Sequence, residues 1–420
     1  MISKLKNLFD KYGAQGTLRT LLRFAFQSAA AFRGPREGER AAVDELLREI
    51  RAGEYERLVL RRGSFGWHTV LFQRAQQLAC AMGRRGCLVL YEAAPPHDAL
   101  RGAEKLGEGL WLVNLRAPRL RREIEKAVAE SDRPHYLMLA SPEYRFPPAL
   151  LRRYRSAGWG LIYDYIDAIT PEISGGRRVP RRTRALAEHA MRDAESVICA
   201  SSLALLRDAR RRGKDAVLAE NGVDCAHFSR PGPCPEDARF QELLRAGKPI
   251  LCYYGALARW LDYAALRALA ADGRFKLLLI GAKYDDSFDR ALAGAENTVF
   301  LGPKSYFELK DYAARCDVLL VPFRRGEVAD AASPLKLFEY MALGKPIVAG
   351  NTAECRRFGC VLLAADARDY VRRVEQALAL RGDAALIETE RAQARAADWL
   401  RRAERLRAAL IEREMRKKTG

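Results

Sequence analysis

A lysine and a glutamate stand three residues apart in the stretch SPLKLFEYMALGKPIVAG, residues 333–350. Ser333 can cap a helix and Pro334 suits its first position, so we expect a helix to begin at Ser333. The first turn of a helix carries free amides and a partial positive charge, and an acidic residue is normally preferred there. Lys336 occupies that turn instead, which suggests a phosphate ligand. Glu339 shares its face and could accept hydrogen bonds from a ribose diol.

The same two residues could instead form a surface pair, which would contribute about 0.3 kcal/mol. Their place in the chain favours the ligand site. They follow the apolar run VLLVPF, which starts at Val318, and a loop. In a parallel sheet this order places the start of the helix at the carboxyl ends of the strands, where ligands bind.

Two aspartates close the apolar run GLIYDYID, which starts at Gly160. Asp164 and Asp167 should therefore lie at the carboxyl end of a strand and face a cleft. Carboxylates in that position could orient a substrate hydroxyl or act as a base. Capping of the following turn is an equal alternative for Asp164 and a weaker one for Asp167.

The segment RRGSFGW follows the first apolar run and brings Gly63 and Gly66 to a strand end. Glycine permits close approach of the backbone to a ligand, so this loop is a candidate to contact an acceptor or a phosphate. His68, expected just inside the next helix, could contact the same ligand. The alternative is an ordinary, partly buried histidine.

Short apolar runs alternate with longer helical segments along the chain, which predicts an α/β fold with parallel sheets. The runs fall into two sets. The first set starts at Arg57, Cys87, Leu110, Tyr136, Gly160, Ser196 and Ala216, and the second at Pro249, Phe275, Thr298, Val318, Pro346 and Cys360. Each set suits one doubly wound, Rossmann-like domain, and the two domains should face each other across a cleft.

The segment SRPGPCPEDARF, which starts at Ser229, is rich in proline and polar residues and is typical of a linker. It predicts an N-terminal domain at 39–230 and a C-terminal domain at 231–384. Residues 385–420 have leucines at helical spacing and predict a long amphipathic helix that crosses back to the N-terminal domain. Residues 1–38 predict a basic amphipathic helix.

The chain has 420 residues, with 72 Lys and Arg against 53 Asp and Glu, for a net charge of +19. This charge favours an anionic partner such as a nucleotide or an acidic membrane surface. The nine cysteines form no CxxC pair, which is typical of thiols in a reducing compartment. The sequence contains no run of about 18 uncharged apolar residues, so it predicts no membrane-spanning helix.

The stretch SPLKLFEYMALGKPIVA resembles the nucleotide-binding segment of retaining GT-B glycosyltransferases of the group 1 type. The resemblance is strongest to bacterial enzymes of cell-surface polysaccharide synthesis, such as the teichuronic-acid type. YYGALARWLD, LLLIG and NTVFLGPKSYFELKDYAARCDVLLVPF resemble segments of their donor domain. WHTVLFQRAQQLACAMGRRG, IYDYID, AESVICASSLAL and ENGVDCAHF resemble acceptor-domain landmarks. These motifs occur in the family's order over residues 55–400 and are specific for the superfamily but not for a sugar.

The resemblance implies a site for a UDP-, GDP- or dTDP-linked sugar. Its expected nucleotide-binding residues are Gly255, Arg259, Ser333, Pro334, Lys336, Leu337 and Glu339. The cation that usually holds the diphosphate is missing from its place after the first donor-domain strand, so Arg259 is our candidate. The candidate catalytic residues are Asp167, Asp164 and His68.

The sequence lacks a second acidic residue that many members of the family have. Many members have a glutamate eight residues before the one that corresponds to Glu339, but this chain has Ala331 there. Glu327 and Asp330 are the nearest acidic residues. Either one of them holds the donor sugar, or backbone amides of the turn at 331–333 do, or the chain has lost its activity.

No DxD triplet stands in a donor loop, so we expect no metal and no other cofactor. Lys336, Arg259 and helix amides would neutralise the leaving diphosphate. The acceptor implied by the resemblance is a lipid-linked saccharide. The basic N-terminal helix could hold the enzyme on the cytoplasmic face of the inner membrane, or it could simply dock on its own domain.

Two other functions remain open: a GT-B nucleotide-sugar epimerase, and an inactive GT-B scaffold protein. An epimerase would need no acceptor and should carry more acid and base residues in the cleft. Nucleic-acid binding is disfavoured because no cluster of basic and aromatic residues accompanies the charge. A dinucleotide dehydrogenase is disfavoured because GxGxxG follows the first strand of neither domain.

Overall fold

The computed structural model describes residues 32–69, 71–95, 97–141, 143, 146–171, 178–326 and 333–419. They form two domains, each built on one sheet of mainly parallel strands. Buried apolar clusters lie on both faces of each sheet, as expected for doubly wound domains. Among the described helices, none combines the length and the apolar character that a bilayer crossing requires. Most of the predicted N-terminal helix, residues 1–31, lies outside the described residues.

The N-terminal sheet has eight strands in the order β3-β4-β2-β1-β5-β6-β7-β8. The strands are β1 (Arg57–Arg61), β2 (Cys87–Glu92), β3 (Ala103–Gly107), β4 (Leu110–Val113), β5 (His135–Ala140), β6 (Gly160–Tyr165), β7 (Ser196–Ala200) and β8 (Ala216–Leu218). The helices are α1 (Glu37–Ala52), α2 (Arg74–Gly83), α3 (Pro118–Ala129), α4 (Pro148–Ser156), α5 (Arg181–Arg192) and α6 (Leu203–Arg211). Only β3 among these strands pairs antiparallel.

A short helix α7 (Cys225–Phe228) leads into the C-terminal domain, whose parallel sheet has the order β11-β10-β9-β12-β13-β14. The strands are β9 (Ile250–Tyr254), β10 (Lys276–Ile280), β11 (Thr298–Gly302), β12 (Val318–Val321), β13 (Ile347–Gly350) and β14 (Val361–Ala364). The helices are α8 (Ala238–Arg245), α9 (Tyr263–Ala271), α10 (Ser287–Leu292), α11 (Tyr306–Ala313), α12 (Leu335–Leu343), α13 (Ala367–Ala379), α14 (Ala384–Ala396) and α15 (Trp399–Thr419). Val223 and Phe228 already belong to this domain's core, so the core starts upstream of residue 231.

Every apolar run that predicted a strand forms one, which confirms the α/β prediction. No apolar run predicted β3, because its sequence AEKLG contains two charged residues. Glu104 and Lys105 are tolerated because β3 lies at the edge of the sheet, where it pairs with β4 through backbone groups and leaves side chains in solvent.

The single long helix predicted for residues 385–420 is in fact two helices, α14 and α15. The chain breaks because the backbone pairs with Val223: the Val223 amide donates to Ala397 O, and the Trp399 amide donates to Val223 O. α15 then packs against α2 of the N-terminal domain. Its Glu414 accepts hydrogen bonds from Arg57, at 2.7 and 2.8 Å.

Candidate active site

Two neighbouring cavities lie between the carboxyl edges of the two sheets. The Lys336 cavity has a volume of about 230 Å³ and is lined by residues of both domains. The Arg61 cavity, of about 500 Å³, is lined mainly by the N-terminal domain. Gln73 lines both, and the rings of Trp260 and Tyr284, one from each lining, stand 5.7 Å apart. A ligand could therefore extend from one cavity into the other.

The helix that carries Lys336 begins later than predicted. Pro334 is its N-cap residue, and α12 itself starts at Leu335. Ser333 does not cap it, because the Ser333 hydroxyl donates to the carboxylate of Glu354 at 3.1 Å. The first amides of α12 thus keep no side-chain partner at the N-cap and remain available to an anion.

Lys336 projects into the cavity from the first turn of α12. Its ammonium lies 4.9 Å from the ring centroid of Phe323 and 5.3 Å from that of Tyr253. It forms no ion pair within 4 Å of any described residue. Burial lowers the pKa of Lys336, while the charge of Glu339 opposes that shift. A phosphate entering here would supply the missing counter-charge.

Glu339 lines the same cavity one turn further along α12. The hydroxyl of Tyr254 donates to its Oε2 at 2.7 Å, which fixes the carboxylate. Burial raises the pKa of Glu339, and the Tyr254 hydrogen bond and Lys336 act in the opposite direction. A pair of hydroxyl donors, such as a ribose diol, would stabilise the ionised form.

Two glycines let the backbone approach the cavity. Gly255 follows β9 and Gly281 follows β10, with φ values of +139° and +146°. A Cβ on Gly255 would stand 2.9 Å from Cε of Lys336, so glycine makes room for the lysine. A Cβ on Gly281 would meet the carbonyl oxygen of Gly255 at 1.9 Å. Both strand ends therefore depend on glycine.

Gly281→Ala is expected to destabilise the C-terminal domain by on the order of 3 kcal/mol, because the methyl group meets backbone and the φ value disfavours a side chain. Gly273→Ala is the matched control, since nothing lies within 4 Å of a Cβ there. Chemical denaturation of the two variants and the wild type measures the difference. Equal stabilities would contradict the close packing of Gly281 against Gly255.

The remaining predicted donor residues do not line the Lys336 cavity. Arg259 is exposed, and its backbone amide donates to Asp285 at 3.0 Å. The next residue, Trp260, lines the cavity instead. Leu337 is fully buried in the core, because the helix turns its side chain inward from Lys336. The predictions that concern Ala331, Glu327 and Asp330 fall outside the described residues.

Asp164 lies beneath the cleft and is 1% exposed. It forms a buried ion pair with Arg74, whose Nη2 and Nε donate to Oδ1 at 2.7 and 3.0 Å. Arg74 also donates to the carbonyl of Ala219 at 2.7 Å and so ties β6 to the end of β8. Asp164 does not cap the following turn. The pair positions the strand end rather than offering a free carboxylate.

Asp167 follows β6, and its backbone amide donates to the Ser141 hydroxyl at 3.1 Å. Ser141 and Ile166 both line the Arg61 cavity, which places Asp167 beside it. Burial raises the pKa of Asp167 to about 6, the charge of Asp164 adds to this, and Arg74 opposes it. A carboxylate with such a pKa is ionised at neutral pH and titrates in mild acid.

Some residues of the loop after β1 line a cavity, and others pack in the protein interior. Gly63 lines the Arg61 cavity. Gly66 serves packing, since a Cβ there would stand 2.8 Å from Cβ of His97. His68 precedes α2 rather than lying inside it, and its Nδ1 is 3.1 Å from Asp98 Oδ1. It lines a third cavity, of about 840 Å³, and neither of the two described above.

Several residues that line the site were not predicted from the sequence. Tyr254 stands directly before Gly255 at the end of β9, so its strand-end position was a usable signal. Aromatic residues also form much of the cavity walls. The other lining residues of the Lys336 cavity that were not predicted include Phe72, Gln73, Trp260, Lys304, Tyr306 and Leu309.

Known proteins are similar to this chain in sequence and in fold. Residues 248–379 match the family described as "Glycosyl transferases group 1". The "Putative teichuronic acid biosynthesis glycosyltransferase TuaH" of Bacillus subtilis (strain 168) is 27% identical over 276 residues, which are 61% of this chain and 68% of that protein. The matched segment of the family contains Gly255, Lys336 and Glu339.

Two solved structures illustrate the similarity of fold. A sucrose-phosphate synthase from Thermosynechococcus elongatus has a TM-score of 0.60 and 17% identity, over 86% of this chain and 100% of that one. Anabaena Alr3699/HepE in complex with UDP and glucose has a TM-score of 0.59 and 16% identity, over 85% and 100%. The fold is GT-B, and the chain is a glycosyltransferase whose residues 248–379, in the C-terminal domain, match the group 1 family.

Proposed function

We propose that this glycosyltransferase moves a sugar from a nucleotide-sugar donor to a lipid-linked saccharide in the synthesis of a bacterial surface polysaccharide. The observation that carries the proposal is one cavity that holds both the Lys336 ammonium and the Glu339 carboxylate, with glycine backbone beside them. A nucleoside diphosphate needs a cation for its phosphates and an acceptor for its ribose hydroxyls. Lys336 and Glu339 supply these two groups.

In this arrangement the diphosphate lies between Lys336 and the first amides of α12. The ribose hydroxyls donate to Glu339, and the base extends towards Tyr306 and Leu309, which line the same cavity. Fixed positive charge at the diphosphate lowers the energy of the transition state, in which negative charge builds up on the leaving group. We propose that the ammonium and the amides do this without a metal ion.

The acceptor would occupy the Arg61 cavity, which meets the Lys336 cavity at Gln73. Ionised Asp167 would accept the hydrogen bond of the attacking hydroxyl and so orient it towards the sugar. We propose retention of configuration, with the leaving phosphate taking the proton. The proposal of a polysaccharide acceptor is supported by the name of the Bacillus subtilis relative. The basic helix predicted for residues 1–38 would hold the enzyme on the cytoplasmic membrane face.

Calorimetric titration with UDP, GDP, dTDP and CDP, each without and with EDTA, tests the donor site. We expect one nucleotide to bind and Glu339→Ala to weaken it at least about 10-fold, since a hydrogen bond to a charged group contributes about 1.5 to 3 kcal/mol. Glu375→Ala is the control, because Glu375 is exposed and far along the chain from the cavity walls. Thermal unfolding verifies that each variant is folded.

The outcome also separates the competing functions. Binding of no nucleotide by the folded wild type would contradict the proposal and favour the inactive scaffold. Nucleotide binding with conversion of the free nucleotide sugar, in the absence of any acceptor, would favour the epimerase. Loss of binding on addition of EDTA would contradict metal independence.

A further inference from the structure

We propose that Arg61 binds an anionic group of the acceptor inside the Arg61 cavity. This inference rests on the proposed function, because it names the chemical class of the acceptor. Arg61 ends β1 and is 4% exposed, yet its Nη1 finds no hydrogen-bond partner among the described residues. Its guanidinium stacks on the ring of Tyr91, with 4.5 Å between Cζ and the ring centroid.

The other buried arginines show how unusual this is. Arg57 pairs with Glu414, Arg62 with Glu92, Arg74 with Asp164 and Arg402 with Glu220. Arg61 has no ion pair within 4 Å of any described residue. A buried cation without a counter-charge destabilises a fold, and such a group is commonly retained for a ligand.

A second source of positive potential faces the same cavity. Val179, Pro180 and Thr183, at the start of α5, line it. Pro180 is the N-cap residue and cannot cap the helix with its side chain, and the first turn of α5 contains no acidic residue. The free amides and the helix dipole therefore favour an anion. This observation is independent of Arg61 and indicates the same ligand charge.

A carboxylate near Arg61 suggests that the anion is part of a sugar. Glu143 lines the cavity, and its Oε2 accepts a hydrogen bond from the Ser64 amide at 2.7 Å. A Cβ on Gly63 would stand 3.4 Å from Glu143 Oε2 and 3.5 Å from Arg61 Nη1, so both groups border the same small space. A ligand that offers an oxyanion to Arg61 and hydroxyl groups to Glu143 is an acidic saccharide or a sugar phosphate.

Asp167 completes the arrangement, because Ser141 and Ile166, which it adjoins, line this cavity too. An acceptor whose anionic group is held at Arg61 would present a hydroxyl near Asp167 and the donor cavity. Carboxylate and phosphate share the chemistry that Arg61 recognises, since a guanidinium binds both with paired hydrogen bonds. The carboxylate of a uronic acid and the phosphate of a glycosyl phosphate are therefore the two sources to distinguish.

Ligand-observed NMR titration distinguishes them with glucuronic acid, glucose 1-phosphate and neutral glucose as probes. The titrations use the Lys336→Met background, which removes the ammonium group proposed to bind phosphate in the neighbouring cavity. We expect one or both anions to bind at least about 10-fold more tightly than glucose, and Arg61→Met to abolish that preference. Preference for glucuronic acid identifies a carboxylate, and preference for glucose 1-phosphate identifies a phosphate. Arg119→Met, at an exposed site on α3, should keep the preference.

Thermal unfolding separates this role from a structural one. If Arg61 serves a ligand, Arg61→Met leaves the melting temperature unchanged or raises it. A lower melting temperature together with unaltered anion binding would overturn the proposal and assign Arg61 to the core through Tyr91. Equal affinity of the Lys336→Met protein, with Arg61 intact, for all three probes would overturn the proposal as well. Neither result depends on the nucleotide titrations, so failure of the donor site would be seen separately.

Discussion

Lys336→Met is expected to slow sugar transfer by about 100- to 1,000-fold, the loss typical when one group that stabilises transition-state charge is removed. The side chain keeps most of its length but loses the ammonium that faces the cavity beside Phe323 and Tyr253. Nucleotide affinity should fall too, because the diphosphate is already charged in the ground state. Steady-state kinetics with the donor found by calorimetry would give both effects.

The fold of the Met variant should not suffer. Burial lowers the pKa of Lys336, so the folded state disfavours its charged form. In the wild type this opposes folding at neutral pH and is relieved as pH rises through the lowered pKa towards the unfolded one. Lys336→Met should therefore be at least as stable as the wild type at pH 7. Lys248→Met, an exposed site in the same domain, is the control. Unaltered turnover in a folded Met variant would refute the phosphate assignment.

The sequence predicted those parts of the site that one short segment specifies. Lys336 and Glu339 lie on one helix face, and the apolar run of β12 precedes them, so local spacing sufficed to place both in one cavity. Gly255, which follows the apolar run of β9, was expected through the resemblance of YYGALARWLD to the family's donor domain. Each of these signals lies within one short, continuous stretch of the chain.

Pairings between distant segments could not be predicted in this way. Arg74 and Asp164 are 90 residues apart, and Tyr254 and Glu339 are 85 apart. Nothing local in either segment indicates its partner, because the pairing arises from the order of strands in each sheet. Without knowledge of Arg74, Asp164 remained a catalytic candidate beside Asp167, with capping of the next turn as an equal alternative.

The direction in which a side chain points could not be predicted from the sequence either. Arg259 has a suitable charge and follows β9, but the loop turns its side chain into solvent and Trp260 into the cavity. Ser333 suits an N-cap by type, yet Glu354, which lies 21 residues later, takes its hydroxyl. Arg61 is the reverse case: its significance lies in the lack of an ion-pair partner among the described residues, which a sequence cannot reveal.

Asp167→Asn is expected to slow transfer by about 100-fold or more, since the amide cannot accept the acceptor hydroxyl with the strength of a carboxylate. In the wild type the rate should fall as pH drops through about 6, where burial places the pKa of Asp167. The Asn variant should lose this dependence. Its nucleotide affinity should not change, because Asp167 does not line the Lys336 cavity.

Stability provides the decisive check on the same residue. The folded pKa of Asp167 lies above its ordinary value of 3.8, so the folded state binds the proton more tightly than the unfolded state. Its ionisation therefore costs stability as pH rises from about 4 to about 6, and the full cost persists above that range. Asp167→Asn should remove this cost and stabilise the fold at pH 8 by on the order of 2 kcal/mol, with little gain at pH 4.

Asp132→Asn is the matched control for both readouts, because Asp132 is exposed and precedes β5, at the opposite edge of the sheet from Asp167. Denaturant titrations at pH 4 and pH 8 give the stabilities of the three proteins. A variant that is slower and also less stable at pH 8 would indicate that Asp167 supports the loop after β6. A variant that is slower but more stable at pH 8 matches a carboxylate that is kept, against the stability of the fold, for the acceptor hydroxyl.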